Sequence, residues 1–495
     1  MTAIVEVTNI AIELRPDPGR VVTRFFLPGR EGVGPGASRA ASVVERILDL
    51  DEAEVVATMA DLDTRFGHRH RGLRDTFRRH ATLVEPRLDP RVDLSEDRHL
   101  LLGASFTHEY AIEGAALCNP CAVLHPAQEA GGDARFILSV RSIGEGHFST
   151  IGFRTGTLTA AGAVIIDRPE PFPQTSSSTP GQQHRAVLAA KLVELGDDPE
   201  NTAYVLNPLP DDFHNGELDD RLNRLLADGA TRLNTATTIA NLRALARSSY
   251  DVAFSEQTAL SERVLWPQAP AESQGMEDAR FVRFTDDAGA VSYYATYTAF
   301  DGTNISQQLL HTNDFVTFSM SPVAGDAATG KGLALFPRKI AGRYVALSRS
   351  DRETNAIAFS DDLRWWRDPI SVQLPARPWE ILQLGNCGSP IETDQGWLML
   401  THGVGPMRTY SMGAILLDLA EPQRVLAQSR EPFLVPDPAR RNGYVPNVVY
   451  TCGALAHGDT LMVPYGIGDQ TIGVATVSLA ALLASLSPVE AARPG

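Results

Sequence analysis

The sequence has 495 residues, of which 40 are glycine and 32 are proline, and 43% are hydrophobic. So many element-breaking residues exclude a long coiled coil or a collagen, and the length allows two to four ordinary domains or one large repeat architecture with attachments. The 44 basic and 60 acidic residues leave a formal net charge of −16. This charge disfavours binding to nucleic acid or to an anionic membrane, because both repel an acidic protein. A neutral small molecule is the better expectation for a partner.

The N-terminal segment and the cysteine content predict a soluble, cytoplasmic protein. The first residues carry no basic stretch followed by an apolar segment, and no run reaches the ~18 apolar residues of a membrane span. Four cysteines are too few to crosslink a chain of this size, which fits a reducing compartment. Cys118 and Cys121 form a C-x-x-C motif, yet no second pair or histidine cluster completes a zinc set. We therefore predict buried thiols and neither metal nor cofactor, with zinc or redox chemistry as the alternative.

Residues 1–95 predict an N-terminal helical extension. Apolar residues between positions 43 and 48 share one helical face, and Asp51 with Glu54 has the spacing of a capping box for the next helix. Residues 65–79 contain six arginines. We interpret this segment as a solvated helix face or as a subunit contact in a homo-oligomer, with a patch for an anion or acidic partner as the alternative.

From about residue 96 the chain predicts a mainly β domain built from repeats. Short β-rich runs separated by glycine, aspartate and proline turns recur as a unit of several strands with a period near fifty residues, which is typical of a β-propeller. We expect a five-bladed propeller over residues 96–486, with a mainly helical insertion over residues 166–265 between blades 1 and 2. The five units start at Asn119, Asp278, Leu335, Ser389 and Asn447.

Polar residues at the starts of these units indicate acid/base chemistry on an uncharged substrate. Propellers place functional groups at one end of the central channel, and here the unit starts carry carboxylates and cations. The sequence contains no nucleophile elbow, no H-E-x-x-H and no glycine-rich phosphate loop.

Several ordered motifs resemble glycoside hydrolase family 130. They read G-M-E-D-A-R-F (275–281), L-F-P-R-K-I-A-G-R-Y (335–344), S-P-I-E-T-D-Q-G-W-L (389–398), L-L-D-L (416–419) and V-P-N-V-V-Y-T-C-G-A (445–454). The resemblance covers about residues 100–480. It implies a five-bladed propeller that cleaves β-mannosides with inversion, either by hydrolysis or by phosphorolysis.

The resemblance makes Asp278 the general acid, which delivers its proton through a hydroxyl of the mannosyl residue. Glu277 and Arg280 flank it in sequence and shift its pKa in opposite directions. The alternative for this motif is a surface turn with an ion pair. For Asn119, Asp301 and Asp469 the alternative is a turn cap, and Trp397 and Tyr465, which line the same channel mouth in this interpretation, are alternatively blade core. The candidates for substrate binding are Asn119, Arg141, Arg154, Glu277, Arg280, Asp301, His402 and Asp469.

The choice between hydrolysis and phosphorolysis depends on a cluster of basic residues that binds phosphate in the family's phosphorylases. Lys331, Arg349 and His402 match that cluster, whereas Glu392 stands where the family usually has lysine. An exchange of lysine for glutamate weakens a dianion site and supplies a base for water, so we predict Glu392 as the catalytic base of an inverting β-mannosidase.

Three alternatives stay open at this point. Glu392 could instead pair with Arg349 or Lys331, and Glu145 or Glu353 could be the base. The chain could be a β-mannoside phosphorylase that uses inorganic phosphate as co-substrate and releases mannose 1-phosphate. It could also be a propeller that binds carbohydrate without catalysis.

Overall fold

The structure is a computed structural model that describes residues 5–28, 39–89, 91–128, 131–228 and 232–489. Strands account for 38% of the chain and helices for 26%, so the predicted mainly β class is confirmed. The chain divides into two compact units. One comprises residues 17–114 and 170–174, and the other comprises residues 1–16, 115–169 and 175–495. The predicted boundary at residue 95 differs from this division.

The smaller unit is helical, with one two-stranded sheet. Strand β2 (Val21–Phe25) pairs antiparallel with β3 (Thr107–Ala111). The helices are α1 (Arg39–Asp49), α2 (Glu52–Phe66), α3 (Leu73–Val84) and α4 (Glu96–Ser105). The predicted capping box is present, because the Asp51 side chain accepts from the Glu54 amide at 2.8 Å and the Glu54 side chain accepts from the Asp51 amide at 3.2 Å.

The arginine-rich segment 65–79 pairs mostly with acidic residues of its own unit. Arg69 binds Glu109 at 2.9 Å, Arg74 binds Asp63, and Arg78 binds both Asp75 and Glu96. Internal pairing of this kind supports the interpretation as a solvated helix face over that of an anion patch. The role in a homo-oligomer stays a prediction.

In the described part of the chain, the strands of the larger unit fall into five groups of mostly antiparallel strands, and a parallel bridge between Ser149 and Gly275 joins the first two groups into one ten-stranded sheet. Each group begins near one of the predicted unit starts. The first group contains β4 (Ala116–Leu124), β5 (Ala134–Ile143), β6 (Ser149–Leu158) and β7 (Val164–Ile166). The second contains β12 (Gly275–Thr285), β13 (Val291–Phe300), β14 (Ile305–Thr312) and β15 (Thr317–Pro322), extended by β11 (Tyr250–Ala253) and β8 (Ser178–Pro180).

The remaining three groups follow in chain order. The third contains β16 (Ala334–Leu335), β17 (Tyr344–Ser348), β18 (Asn355–Ser360) and β19 (Arg367–Gln373). The fourth contains β20 (Gln383–Asn386), β21 (Ile391–Thr393), β22 (Gly396–Gly405), β23 (Thr409–Leu417), β24 (Val425–Gln428) and β29 (Ser487–Pro488). The fifth contains β25 (Val449–Tyr450), β26 (Leu455–His457), β27 (Thr460–Ile467) and β28 (Thr471–Ser478).

The fifth group is completed by a strand from the other end of the chain. Strand β1 (Val7–Leu14) pairs antiparallel with β28, with Val7 opposite Val477 and Leu14 opposite Ile472. Residues 7–14 therefore pair within the β unit, whereas the prediction placed residues 1–95 in an N-terminal helical extension. The exposure along most of β1 alternates with a period of two, as expected for a strand.

Four helices lie within the predicted insertion 166–265. They are α5 (Arg185–Glu194), α6 (Pro199–Leu206), α7 (Asn215–Ala227) and α8 (Thr235–Ala246), and their leucine-rich faces form one buried cluster. The short strands β9 (Gln183–His184) and β10 (Asp212–Phe213) pair beside them. A last helix, α9 (Leu479–Ser485), follows β28. Among the described residues, the helices are all too short or too polar to cross a membrane.

Candidate active site

A cavity of about 180 Å³ gathers most of the predicted site residues. Five cations and two carboxylates contribute to its wall, so positive side chains outnumber negative ones in the lining. Its lining residues are Asn119, Arg141, Asp278, Arg280, Lys331, Arg349, Gln383, His402, Arg408, Tyr410, Val445, Val448, Tyr450 and Asp469. Eight of the twelve predicted site residues are in this set.

Interrupted strands bring two of these residues into the cavity. The pairing of β12 with β13 shifts register between Glu277 and Arg280, and the pairing of β4 with β5 shifts between Cys118 and Cys121. At each bulge an Asx residue has positive φ, 54° for Asp278 and 46° for Asn119. Bulges redirect side chains, and Asp and Asn tolerate the left-handed region better than other non-glycine residues. The E-D-A-R and N-P motifs therefore both correspond to a β-bulge with an Asx residue at positive φ, one in each of two strand groups.

Cations surround the Asp278 carboxylate. Lys331 Nζ lies 3.9 Å from Asp278 Oδ2, and Arg280 Nη1 donates to the Asp278 backbone oxygen at 3.0 Å. Burial raises the pKa of Asp278, but Lys331, Arg280, Arg141 and Arg349 together lower it, and the net direction is downward. The carboxylate is therefore ionised in the unliganded protein, and it acquires a proton more readily once an anion offsets these cations.

Glu277 fixes two of the cations without lining the cavity. Its Oε1 accepts from Arg141 Nη2 at 2.7 Å, and its Oε2 accepts from Lys331 Nζ at 2.5 Å. The side chains of all three residues are at most 31% exposed, so these ion pairs are screened less than surface pairs. The geometry makes Glu277 a positioning residue for Arg141 and Lys331.

His402 orients Arg349. Its Nδ1 lies 3.2 Å from the Asn386 carbonyl oxygen, which can only accept, so this nitrogen carries the proton. Nε2 then accepts from Arg349 Nη1 at 3.1 Å. Burial lowers the pKa of His402 well below its usual value, and Arg349 and Arg280 lower it further. The imidazole is neutral and directs the guanidinium.

Several lining residues were missed by the sequence analysis. Tyr450 accepts from Arg280 Nη2 at 2.6 Å through its hydroxyl, and Tyr410 stacks on the His402 ring with centroids 5.9 Å apart. Tyr450 lies inside the V-P-N-V-V-Y motif, so the signal for it was present. Arg408 follows Met407, and both have positive φ. Gly405 and Pro406 mark a turn directly before that pair, but nothing in the sequence indicates that Arg408 lines the cavity.

Glu392, which the sequence predicts as the catalytic base, lies outside this cavity. Glu392 lines a different cavity, of about 370 Å³, and forms a bidentate pair with Arg338 at 2.5 and 3.0 Å. Its side chain is 43% exposed. Glu392 therefore forms an ion pair with an arginine, as the alternative expected, but the partner is Arg338 and not Lys331 or Arg349.

Two further candidates also lie outside the lining of the 180 Å³ cavity. Asp301 caps its own turn, accepting from the amides of Thr303 at 2.8 Å and Asn304 at 2.6 Å, as the turn-cap alternative expected. Arg154 is buried and donates to the Phe153 carbonyl oxygen at 3.0 Å. Trp397 packs in the core against Phe336. The alternative bases Glu145 and Glu353 occupy exposed positions away from this lining.

The four cysteines are free and buried, which supports the interpretation as buried thiols. Within the described ranges, no group of three or more His, Cys, Asp or Glu side chains is arranged to hold a metal ion.

Asp469 provides a test of the electrostatics through stability. Burial raises its pKa to about 6, with Asp278 adding to the shift and Arg141 opposing it. A carboxylic acid whose pKa is higher in the folded than in the unfolded protein favours folding while it is protonated. This contribution to the free energy of unfolding is lost as the pH rises from the unfolded-state pKa, near 4, through the folded-state pKa. We expect Asp469→Asn to raise the Tm by a few degrees at pH 7.5 and to leave it nearly unchanged at pH 4. Scanning calorimetry at the two pH values measures this, and equal shifts at both would contradict the assigned direction.

Comparison with known proteins identifies the family. The model of glycoside hydrolase family 130, described as beta-1,4-mannooligosaccharide phosphorylase, matches residues 234–487. A 1,2-beta-oligomannan phosphorylase from a Thermoanaerobacter species is 36% identical over 227 residues, which cover 44% of this chain and 74% of that protein. A beta-1,2-mannobiose phosphorylase from Listeria innocua is 34% identical, with 45% of this chain and 63% of that protein covered.

A solved structure is also similar. The beta-1,2-mannobiose phosphorylase from Listeria innocua in complex with beta-1,2-mannobiose is 22% identical, with a TM-score of 0.45 over 76% of this chain and 93% of that chain. The match to the family model and the similarity to the Thermoanaerobacter relative show that the chain is a glycoside-processing enzyme. It belongs to glycoside hydrolase family 130.

Proposed function

We propose that the chain is an inverting β-mannoside phosphorylase that uses inorganic phosphate to release mannose 1-phosphate. The observation that carries this proposal is the cationic wall around Asp278, in which Lys331 and Arg349 are retained and Glu392 is absent. The preference for hydrolysis over phosphorolysis depended on Glu392 as the base, and it has no support once Glu392 lies outside the cavity. The matched relatives named above are phosphorylases, and they support the same choice.

The cavity residues divide into three roles in this reaction. Lys331 and Arg349 bind the phosphate dianion, and neutral His402 orients Arg349 toward it. Asp278 is the acid. Asn119, Arg141, Arg280 and Asp469 bind the hydroxyls of the mannosyl residue, and Asp469 matches the family residue that holds the non-reducing sugar.

Inversion requires the nucleophile and the acid on opposite sides of the anomeric carbon. A phosphate oxygen forms the new bond to that carbon while the glycosidic bond breaks, and the bonding pair leaves with the aglycone oxygen. That oxygen takes its proton from Asp278, relayed through a hydroxyl of the mannosyl residue as the family resemblance implies. Phosphate binding also offsets the cations that hold Asp278 ionised, so it favours the protonated acid.

We also propose that the five strand groups close into a five-bladed propeller over residues 96–486, with residues 166–265 as the insertion. The match between group starts and the repeat period supports this arrangement. Such a ring would place the five unit starts around one channel mouth.

Product analysis tests the proposed reaction. β-1,2- and β-1,4-linked mannobiose are each incubated with the protein with and without inorganic phosphate. We expect mannose 1-phosphate only when phosphate is present. Free mannose formed at the same rate in both conditions would make the protein a hydrolase, with Asp469 as the cavity's remaining carboxylate for a base. Binding without turnover would make it a carbohydrate-binding module.

Gly385 provides a more local test of the phosphate site. A Cβ at this position of β20 would lie 2.5 Å from His402 Cε1 and 2.9 Å from Arg349 Cδ, so Gly385→Ala displaces both side chains. Small displacements of positioning groups cost up to about 10²-fold in rate. We expect kcat/KM for phosphate to fall by about 10- to 10²-fold. The matched control is Gly216→Ala, where a Cβ meets nothing within 4 Å. Unchanged phosphate kinetics in Gly385→Ala would contradict the role of this pair.

A further inference from the structure

A second polar cavity lies on the larger unit, away from the catalytic one. It encloses about 400 Å³, within the roughly 300–1,000 Å³ typical of ligand pockets, and shares no lining residue with the cavity that contains Asp278. Its wall comes from strands β13, β14, β15 and β11, from the segment around β9 at the start of the helical insertion, and from the loop before β19.

A row of polar side chains crosses four strands of this wall. Tyr294 lies opposite His311, His311 opposite Ser319, and Ser319 opposite Asp251. Directly opposed residues in antiparallel strands project from the same face of a sheet. The four side chains therefore share one face, and Tyr294 and His311 stack with ring centroids 4.8 Å apart.

The next residues along the same strands show that this polar face is specific to one side of the sheet. They are Ala295, Leu310 and Val252, and each is at most 2% exposed within the hydrophobic core. On β15 the next residue, Met320, is equally buried but also lines the cavity. A sheet face that packs only against other protein is normally apolar. The polar row instead faces a cavity.

His184 and Arg364 also line the cavity. His184 Nδ1 pairs with Asp212, and Arg364 Nε is buried without a hydrogen-bond partner. Burial lowers the pKa of both His184 and His311, and Arg364 lowers each further. Both imidazoles are therefore neutral at pH 7, and the lining holds one cation, Arg364, and one carboxylate, Asp251.

A wall with balanced charge, several hydroxyl and imidazole groups and a stacked aromatic pair is suited to a neutral polyhydroxylated ligand. Sugar hydroxyls both donate and accept, and the C–H faces of a sugar pack on aromatic rings. A free anion would meet Asp251 and an Arg364 side chain that already pairs with Asp362 at 3.7 Å, and a cation would meet Arg364. We propose that this cavity is a second saccharide-binding site, occupied by a manno-oligosaccharide outside the catalytic centre. The identity of the sugar rests on the proposed function.

Binding stoichiometry tests the proposal on the full chain. Asp278→Asn is used as the parent to prevent turnover, and β-1,2- and β-1,4-mannobiose are titrated in by calorimetry and followed by saturation-transfer NMR. We expect two binding events. Adding Ser319→Trp fills the cavity from an exposed strand position and should weaken one event at least tenfold while leaving the other unchanged.

The matched control is Thr317→Trp, an exposed residue two positions earlier on the same strand that does not line the cavity. It should leave both events intact. Retained wild-type turnover in the single variant Ser319→Trp shows that the variant folds, and Arg364→Gln provides a second way to weaken the cavity event.

A single event that Ser319→Trp leaves unchanged overturns the proposal, and so does an event that inorganic phosphate alone reproduces at the cavity. Failure of the proposed function is separately visible. If phosphate-dependent turnover is absent in the wild type but an event sensitive to Ser319→Trp remains, the second site stands and the phosphorylase assignment falls.

Discussion

Asp278→Asn should lower turnover of an unactivated mannobiose by about 10²–10⁴-fold, the contribution typical of a positioned general acid. Asparagine preserves the shape of the side chain and its hydrogen-bonding reach but cannot donate the proton that the leaving oxygen needs. The bulge at Asp278 depends on an Asx residue in the left-handed region, which asparagine also adopts readily. Binding of the disaccharide should therefore survive, and steady-state kinetics with calorimetry separates the two effects.

Glu392→Gln is the matched control for this experiment. It also replaces a carboxylate by an amide, but at a half-exposed ion pair with Arg338 outside the cavity. Exposed pairs are worth about 0–1 kcal/mol, so we expect turnover close to that of the wild type. Asp278→Asn retaining more than about a third of wild-type activity, or Glu392→Gln abolishing it, would show that the acid has been misassigned.

Arg349→Ala should raise the KM for phosphate by about 10- to 150-fold. A hydrogen bond to a charged group contributes roughly 1.5–3 kcal/mol, and 1.36 kcal/mol corresponds to a factor of ten. The removed guanidinium is the one that His402 orients at 3.1 Å. Initial rates over a phosphate series, at saturating disaccharide, measure the change.

Arg338→Ala serves as the control, because it removes an arginine from the Glu392 pair, outside the catalytic cavity. It should leave the phosphate KM unchanged. If Arg349→Ala lowers kcat but keeps the phosphate KM, the cation stabilises the transition state without holding phosphate in the ground state. If the rate never depends on phosphate, the proposed reaction is wrong.

The sequence predicted Asp278 as a site residue because the signal for this position is local. Asp278 and Asn119 each lie in a short motif at a unit start, and both motifs correspond to bulges that turn a side chain into the cavity. Glu392 lies in a motif of the same kind, yet β21 is a regular three-residue strand that pairs with β22 without a shift of register. Motif position alone cannot separate these two cases, since side chains alternate between faces along a strand.

The missed residues share a different physical cause. Arg408 and Tyr410 reach the cavity because the turn before β23 places Met407 and Arg408 in the left-handed region. Neither is a glycine, and the turn depends on contacts made in the folded state. His402 was assigned to phosphate from its motif, but its neutral, orienting role follows from the Asn386 carbonyl that faces it. The protonation state and the role of His402 thus depend on contacts with residues that are distant in sequence, which a motif does not show.

The pairing of β1 with β28 has a consequence for synthesis on the ribosome. Val7 lies opposite Val477 in this ladder, so β1 must wait for about 470 further residues to be synthesised before its partner strand exists. At about 5–20 residues per second this wait lasts roughly 25–95 s. During that time β1 presents an unpaired edge that could join another nascent chain. The polar side chains of Thr8, Asn9 and Glu13 lie at exposed positions of this strand, and they limit such association until the last sheet is complete.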